Sequence, residues 1–478
     1  MIQVSFYGAA GEVTGSCYLI TTPHARILLD FGIHQGDPQA YTRNHTMPPI
    51  DPATLDAVVL THGHLDHCGR LPLLRKHGYE GPIYSTPASC AITGLILRDS
   101  ASIQQADAED DNRRLAAQGR PLVEPLYTIE ESEQILAQLK PLPYGRRQNI
   151  ARGISVQFFD AGHIIGSSSV LVTIDADAPS GQPERNLIFS GDIGVRNAPI
   201  LRDPVPPTTA STAGPDLVVL ESTYGDRDHR PFGPTIEELA GIIQTAHREN
   251  GKILIPAFAI GRTQDLIYHI SQLIRDQRIR PTDVFIDSPM ATAATRIYEA
   301  HPNIYDSETT NLIRTGLEPL DFPGLKFTRS RQESQALNDL KGGRIIIAGS
   351  GMCTGGRIVH HLRHSLSRPT THIVFVGFQG RGTLGRALVD GAKLVHIFGQ
   401  EIEVQAKIHT LGGFSAHSGQ SGLLSWAKAA VSTAQQGKPP RLVLTHGEDE
   451  PRRMLADRLR TTIGLTAELP QWGDLIKV

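Results

Sequence analysis

The stretch "THGHLDHCGR" at residues 61–70 places four side chains that bind metal ions within six positions. His62, His64, Asp66 and His67 provide three imidazoles and a carboxylate, which are good ligands for zinc and related divalent ions. The apolar run "LDAVVL" precedes them and predicts a buried strand, so the cluster lies where a strand ends. The spacing predicts a metal centre, with His62 and His64 directed to one ion and Asp66 and His67 to a second.

A centre with two ions that share a water and a carboxylate needs three further ligands. Three apolar runs that end at glycine-containing turns provide them: "FFDAGHIIGS" contains His163, "LIFSGDIG" contains Asp192 and "LVLTHGED" contains His446. Each of these residues alone is more often a satisfied polar group or a turn former. The cluster at 61–70 favours the interpretation as ligands.

The elements that must position these side chains follow a strand-rich, alternating and again strand-rich order. Short strands dominate the first two hundred residues, around a polar, helix-prone segment at about 100–140. The stretch "RDPVPPTTASTAGP" near 202–215 predicts a linker or a long surface loop. Strands then alternate with helices, which predicts a parallel sheet, until "HIFGQEIEVQAKIHTL" returns to consecutive strands and a final basic helix follows. This order predicts one domain interrupted by an insertion of about 190 residues.

The composition excludes several classes of protein. The 478 residues are 40% hydrophobic and 20% charged with a net charge of -3, which excludes a disordered chain and gives no global sign of a nucleic-acid partner. Cys17, Cys68, Cys90 and Cys353 have no paired spacing and predict reduced thiols. No signal peptide or membrane-spanning run is visible, so we expect a cytoplasmic protein without a membrane partner.

The motif "HGHLDH", with the earlier "LLDFG" and the later "DAGHIIGS" and "SGDIG", resembles the metallo-β-lactamase fold. The resemblance implies an α/β protein in which two face-to-face β-sheets lie between outer helices, an αββα sandwich. It also implies two Zn²⁺ ions and a role for each candidate: His62, His64 and His163 hold the first ion, Asp66, His67 and His446 hold the second, Asp192 bridges them, and Asp30 steadies the ligands without binding metal. For Asp30 the alternative is a turn former at a strand end.

Further motifs resemble the β-CASP group, the nuclease branch of this superfamily. They are "DLVVLESTYGDRDH", "LIPAFAIGRTQDLIY", "FIDSPMA", "GSGMCTGGRIVHHL" and "GGFSAHSGQ". The resemblance implies an inserted β-CASP α/β domain with a mainly parallel sheet. We expect the metallo-β-lactamase domain at 1–207 and 396–478 and the inserted domain at 208–395. The sequence "SGQ" after "FSAH" departs from many relatives, which carry an acid there.

The β-CASP resemblance implies a zinc-dependent ribonuclease that hydrolyses RNA phosphodiester bonds, an endonuclease with exonuclease activity left open. Catalysis would depend on Asp66 and Asp192 beside an activated water and on a Glu221–His417 pair as general acid. His446 supports RNA, because the DNA-repair branch lacks this histidine. Without the family, a pairing of Glu221 with Arg227 and a turn-capping role for His417 are equally good interpretations.

Several residues of the insertion are candidate contacts for RNA phosphates, because glycine-rich strand ends and basic side chains bind phosphate. These candidates are Arg262, Gly355, Gly356, Arg357, His360, His361 and Ser415. A tight glycine turn with solvated arginines is the alternative.

Two other functions stay open at this point. One is a small-molecule ester or lactam hydrolase of the same fold, and the other is a non-catalytic RNA-processing scaffold. The expected partner is single-stranded RNA. The physiological RNA, the cleavage polarity, the metal used in the cell and the oligomeric state, including a homodimer, stay open.

Overall fold

The structure is a computed structural model that describes residues 2–36, 39–176, 183–208, 214–340, 342–432 and 439–478. Part of the predicted linker at 202–215 therefore lies outside the described residues. In the described residues the strands are, in chain order, β1 (Gln3–Phe6), β2 (Tyr18–Thr21), β3 (Arg26–Leu29), β4 (Ala57–Val59), β5 (Ile83–Ser85), β6 (Leu139–Pro141), β7 (Gln148–Ala151), β8 (Ile154–Asp160), β9 (Ser168–Ile174), β10 (Arg185–Phe189), β11 (Leu217–Glu221), β12 (Ile253–Pro256), β13 (Val284–Ile286), β14 (Leu325–Phe327), β15 (Ile345–Ala348), β16 (His372–Phe375), β17 (Leu394–Ile397), β18 (Gln400–Glu403), β19 (Lys407–Thr410), β20 (Arg441–Thr445), β21 (Ala467–Glu468) and β22 (Leu475–Lys477).

Helices connect these strands. In chain order they are α1 (Ala40–His45), α2 (Leu65–Cys68), α3 (Leu71–Lys76), α4 (Pro87–Ala117), α5 (Ile129–Leu136), α6 (Phe232–Arg248), α7 (Arg262–Arg275), α8 (Pro289–Ala300), α9 (Ser307–Arg314), α10 (Arg331–Ala336), α11 (Arg357–Ser365), α12 (Leu384–Val389), α13 (Gln420–Val431) and α14 (Asp449–Ile463). The final basic helix predicted from the sequence is α14. The helix-prone segment at 100–140 is α4 followed by α5, which begins with a capping box between Thr128 and Glu131.

The chain divides into two compact units, of which the first comprises Met1–Ala198, Asp203–Asp228 and His417–Val478. This unit contains two seven-stranded sheets, ordered β22-β1-β2-β3-β4-β5-β6 and β21-β20-β11-β10-β9-β8-β7. Apolar side chains of both sheets, such as Val4, Val59, Val172 and Val219, form one buried core. The two sheets therefore pack face to face, because alternate side chains of a strand share one face.

Helices cover the outer faces of this sandwich. Trp426 of α13 and Leu455 of α14 pack in a second core with Val218 and Leu442 from the other face of the second sheet. On the first sheet, α4 lies against β6. The predicted αββα sandwich is confirmed.

The second unit comprises Pro199–Arg202 and His229–Ala416 and contains a parallel six-stranded sheet ordered β14-β13-β15-β12-β16-β19. Helices α11 and α12 cover one face, where Ile358, Leu362 and Leu388 pack on the strands. This confirms the predicted inserted α/β domain with a mainly parallel sheet. The unit extends past the predicted boundary at residue 395, because β19 pairs with β16. The predicted division of the chain into three ranges stays a prediction.

In the described residues, no helix combines the length and the apolar character that crossing a membrane requires.

Candidate metal centre

The predicted ligands all follow strand ends of the first unit. His62 and His64 lie in the loop after β4, and α2 begins immediately afterwards and carries Asp66 and His67. His163 lies between β8 and β9. The other candidates follow β10, β11 and β20, which are parallel neighbours, so their carboxyl ends meet at one edge of the sheet.

Three imidazoles converge on one point. His64 Nδ1 lies 3.1 Å from His62 Nε2 and 3.2 Å from His163 Nε2. The Oδ2 atom of Asp192 lies 3.4 Å from His62 Nε2 and 3.5 Å from His163 Nε2. A tetrahedral ion with ligand bonds of about 2.0–2.1 Å places its ligand atoms about 3.3–3.4 Å apart. These four atoms therefore have the spacing of one tetrahedral coordination shell.

A second group of ligand atoms lies beside the first. His446 Nε2 is 3.1 Å from His67 Nε2 and 3.4 Å from Asp66 Oδ2. The Oδ1 atom of Asp192 lies 3.3 Å from His67 Nε2 and 3.5 Å from His446 Nε2. Asp192 thus contributes one carboxylate oxygen to each group, which is the arrangement that a bridging ligand requires.

The state of these side chains fits metal binding. Asp192 Oδ1 is buried and accepts no hydrogen bond within the described part of the chain, a costly arrangement that a bound cation would relieve. Burial lowers the pKa of His62 well below its usual value and that of His64 to about 4, so both rings are neutral near pH 7 and offer a lone pair. Burial alone would raise the pKa of Asp192, but the imidazoles around it hold this pKa well below the usual range. The donor set therefore fits a pair of divalent ions.

Asp30 lies directly behind these ligands. Its Oδ2 is 2.8 Å from His67 Nδ1 and also accepts a hydrogen bond of 2.8 Å from the Thr61 hydroxyl, while its Oδ1 accepts one from the Thr61 backbone N–H. The Thr61 hydroxyl is in turn 3.1 Å from His62 Nδ1. One buried carboxylate therefore orients two imidazoles, directly and through a hydroxyl, so that their Nε2 atoms point at the metal positions.

The sequence analysis missed two hydroxyls that orient ligands. Besides Thr61, Thr223 places its Oγ1 3.0 Å from His446 Nδ1. The signal in the sequence was weak: Thr61 is the residue before His62, and Thr223 follows Glu221 by two positions. Asp30 and His446 both have a left-handed backbone, with φ of 59° and 50°, a conformation that non-glycine residues adopt at a cost of about 1 kcal/mol and that concentrates at functional sites.

Glu221 and His417 form a pair next to Asp192. His417 Nδ1 lies 3.2 Å from Glu221 Oε1, and its Nε2 lies 3.9 Å from Asp192 Oδ2. Glu221 is almost fully buried, and its carboxylate accepts hydrogen bonds from the backbone N–H groups of Ile193 and Thr223. The alternative partner Arg227 instead pairs with Asp226 at 2.6 Å.

The surroundings of His417 favour a protonated ring. Burial lowers the pKa of His417, but the nearby carboxylates of Glu221 and Asp192 outweigh this effect and raise it to about 9. The side chain of His417 keeps 21% of its surface exposed, so its outer nitrogen is within reach of a ligand. This imidazole can therefore act as a proton donor near neutral pH.

The candidate phosphate contacts lie in the second unit, and two of them bind a buried carboxylate. Arg357 Nη1 lies 2.7 Å and His361 Nε2 lies 2.6 Å from the carboxylate of Asp287, which also accepts hydrogen bonds from Thr328 and Ser334. The other ring nitrogen of His361 is 2.8 Å from Asn338 Oδ1. Both nitrogens of His361 are thus engaged within the protein, and in this conformation neither reaches a phosphate.

The other candidates occupy different surroundings. Arg262 is buried and pairs with Asp265 at 2.8 Å, and the ring of His360 lies 4.7 Å from that of Phe398. Gly356 has φ of 74°, and a Cβ there would lie 2.4 Å from the carbonyl oxygen of Gly349, so this turn requires glycine. The N–H of Gly355 points to Ser350 Oγ at 3.3 Å. Ser415 follows the buried Phe414. Phosphate binding by these residues stays a prediction.

Comparisons with known proteins agree with this fold and site. Residues 10–234 match the metallo-beta-lactamase superfamily, residues 263–388 match the Beta-Casp domain, and residues 401–470 match the Zn-dependent metallo-hydrolase RNA specificity domain. The chain is 37% identical to Ribonuclease TTHA0252 of Thermus thermophilus, over 99% of both sequences. It is 30% identical to the transcription termination factor FttA of Methanocaldococcus jannaschii, over 100% of this chain and 72% of that protein.

A solved structure has the same fold. It is a crystal structure of a protein of unknown function from Enterococcus faecalis V583, with a TM-score of 0.54 and 15% identity over 99% of both chains. Fold and site together define a metallo-hydrolase with an insertion. The chain belongs to the β-CASP family of metallo-β-lactamase-fold ribonucleases, and the resemblance stated from its motifs is confirmed.

Proposed function

We propose that the protein is a ribonuclease that hydrolyses phosphodiester bonds of single-stranded RNA with two divalent ions, zinc being the metal that this donor set favours. The observation that carries the proposal is the position of Asp192, whose two oxygens belong to two adjacent groups of ligand atoms. His62, His64 and His163 would hold one ion, and Asp66, His67 and His446 the other. When bound, such an ion pair activates a water as nucleophile near neutral pH and neutralises the charge of the phosphate.

The protein's own groups account for the second half of the reaction. Attack of water on phosphorus breaks the bond to the 3′ oxygen, and this leaving oxygen needs a proton. His417 is protonated near neutral pH, and its Nε2 faces the same carboxylate that the ligand groups share. His417 donates its Nε2 proton to the leaving oxygen, while Glu221 keeps the ring oriented through Nδ1.

The relatives support RNA as the substrate class. Ribonuclease TTHA0252 is 37% identical over nearly the whole chain, and the RNA specificity domain match covers residues 401–470. A small-ester hydrolase and a non-catalytic scaffold predict different results in one assay, and both are included in the test below.

The test uses purified protein with end-labelled single-stranded RNA, before and after removal of metal by a chelator. We expect cleavage that stops on chelation and returns with added Zn²⁺ or Mn²⁺. Nitrocefin and a thioester are assayed in parallel. Hydrolysis of these small substrates with intact RNA would establish the ester or lactam hydrolase, and bound metal without any hydrolysis would establish the scaffold.

A substitution identifies the site responsible. His417→Ala is compared with His396→Ala, which changes an exposed histidine of β17 whose side chain is 72% exposed. We expect loss of RNA cleavage only in the first variant. Equal activity of the two variants would contradict the proposed role of His417.

A further inference from the structure

Two large aromatic side chains are exposed at one edge of the parallel sheet in the second unit. Phe258, two residues after β12, is 49% exposed, and Phe378, three residues after β16, is 60% exposed. The strands β12 and β16 are parallel neighbours, with Ile253 opposite His372. Adjacent strands lie about 4.8 Å apart, so both rings project from neighbouring strand ends. Leaving two such rings in water costs burial free energy that a ligand would recover.

The backbone around the two rings is fixed. A Cβ at Gly351 would lie 2.9 Å from the ring of Phe258, so the ring packs directly on a residue that has no side chain. Gln379 is buried, and its Nε2 lies 3.0 Å from the carbonyl oxygen of Gly351 and 3.1 Å from those of Gly377 and Phe378. These hydrogen bonds hold the turn that carries Phe378 against the glycine loop after β15. The rings are therefore preorganised, which lowers the entropic cost of binding.

The chemistry of the two loops is suited to a polyanion. Residues 349–356 ("GSGMCTGG") and 376–383 ("VGFQGRGT") are all described and contain no acidic side chain, while Arg381 is exposed. Within these two loops Met352 is the only other large apolar side chain that is not buried, so the apolar area is two rings in a polar surround. Stable protein–protein contacts bury about 800 Å² on each partner, which favours a smaller occupant.

We propose that Phe258 and Phe378 form a stacking platform for the bases of single-stranded RNA. The proposal rests on the proposed function, since it adds to that function the residues that hold the substrate. Every nucleobase has a face that stacks on an aromatic ring, so such a platform binds RNA without reading its sequence. It accounts for the aromatic exposure, the glycine on which Phe258 packs and the absence of acids in both loops.

Binding is measured on protein that carries His417→Ala, which keeps the RNA intact, with a fluorescent ten-nucleotide RNA. We expect Phe258→Ala and Phe378→Ala to raise the Kd about 5- to 150-fold each, the range reported for loss of one stacked base. Phe258→Tyr and Phe378→Tyr should restore binding, because tyrosine keeps the ring. Leu394→Ala, which removes an exposed apolar side chain of β17, is the matched control and should bind as the parent does.

An RNA that lacks its bases at single positions separates stacking from a general loss of fold. The parent protein should lose affinity for one or two of these abasic RNAs, and the alanine variants should lose little more. Thermal melting and metal content of each variant show that it folds. Kd values of both alanine variants within twofold of the parent would overturn the proposal.

The outcomes also separate this proposal from the proposed function. If the wild type neither cleaves nor binds RNA, the proposed function itself fails. If the wild type cleaves RNA and the alanine variants bind it normally, only the platform is wrong. A change of oligomeric state in these variants with unchanged RNA binding would identify a protein contact instead and would overturn the platform.

Discussion

Asp30→Asn tests how the site prepares its histidines, because the substitution changes one atom of a fully described hydrogen-bond set. Asp30 accepts three hydrogen bonds of 2.8 Å, from the Thr61 N–H, the Thr61 hydroxyl and His67 Nδ1. An asparagine keeps one acceptor oxygen, which the Thr61 N–H occupies. Its NH₂ group then faces the hydroxyl and the imidazole, where the aspartate had an acceptor.

The expected consequence is a change of tautomer in His67. With an N–H donor at Nδ1, the neutral ring places its proton on Nε2, the atom that lies 3.1 Å from His446 Nε2 and 3.3 Å from Asp192 Oδ1. That atom must offer a lone pair to bind metal. Loss of such an orienting group weakens metal binding by about 10- to 100-fold, which corresponds to about 1.4–2.7 kcal/mol.

The assay is a titration of metal-free protein with Zn²⁺ against a competing chelating dye. We expect Asp30→Asn to weaken binding of the ion near His67 most strongly, and that of the ion near His62 less, since Thr61 transmits the change to His62. Thr61→Ser keeps both the N–H and the hydroxyl and should bind as the wild type does. Affinities of Asp30→Asn within twofold of the wild type at both positions would refute the assigned role of Asp30.

Four further outcomes are expected. His417→Ala should retain its metal and lose about 10²- to 10⁴-fold in kcat for RNA, because it removes only the proton donor. His446→Ala should retain about one ion per chain by elemental analysis, because it removes a ligand of one group. Asp287→Ala should lower the free energy of unfolding in urea by about 2–4 kcal/mol, since Arg357 and His361 lose a buried partner. Burial raises the pKa of Asp287, but its hydrogen bonds from His361, Arg357 and the two hydroxyls outweigh this and hold it below the usual range, so its contribution to stability is present above about pH 4 and is lost as the pH falls.

Each of these outcomes has a control. Loss of metal in His417→Ala would contradict the division between ligands and proton donor, and two tightly held ions in His446→Ala would contradict its place in the second group. Asp283→Asn changes a partly exposed carboxylate that pairs with Lys326, and it should leave the unfolding midpoint almost unchanged. An equal acid sensitivity of wild type and Asp287→Ala would show that another group is responsible.

The sequence predicts most of the fold because its periodicity is strong. The run "LDAVVL" becomes β4, and the alternation after residue 215 becomes the parallel sheet of the second unit. The ends of the elements follow local chemistry that is visible in the sequence, as with the capping box at α5. The pairing of β19 with β16 is different, because a short strand after a hairpin is equally compatible with either sheet.

The candidate site divides in the same way. His62, His64, His163 and Asp192 meet as expected, because each follows a strand end and strand ends share an edge. The orienting hydroxyls of Thr61 and Thr223 have no signature that distinguishes them from any other threonine. The contact of His361 with Asp287 joins residues 74 positions apart, and the sequence does not show whether a polar side chain turns to solvent or to a buried carboxylate.

The central claim is that seven side chains around Asp192 hold two metal ions. Anomalous scattering at the zinc edge, from a crystal of the zinc-loaded wild type, tests it most directly. The account predicts two peaks on either side of Asp192, one about 2.0–2.2 Å from the ring nitrogens of His62, His64 and His163, and the other at that distance from Asp66, His67 and His446. A single peak, or zinc bound only elsewhere on the chain, would contradict it.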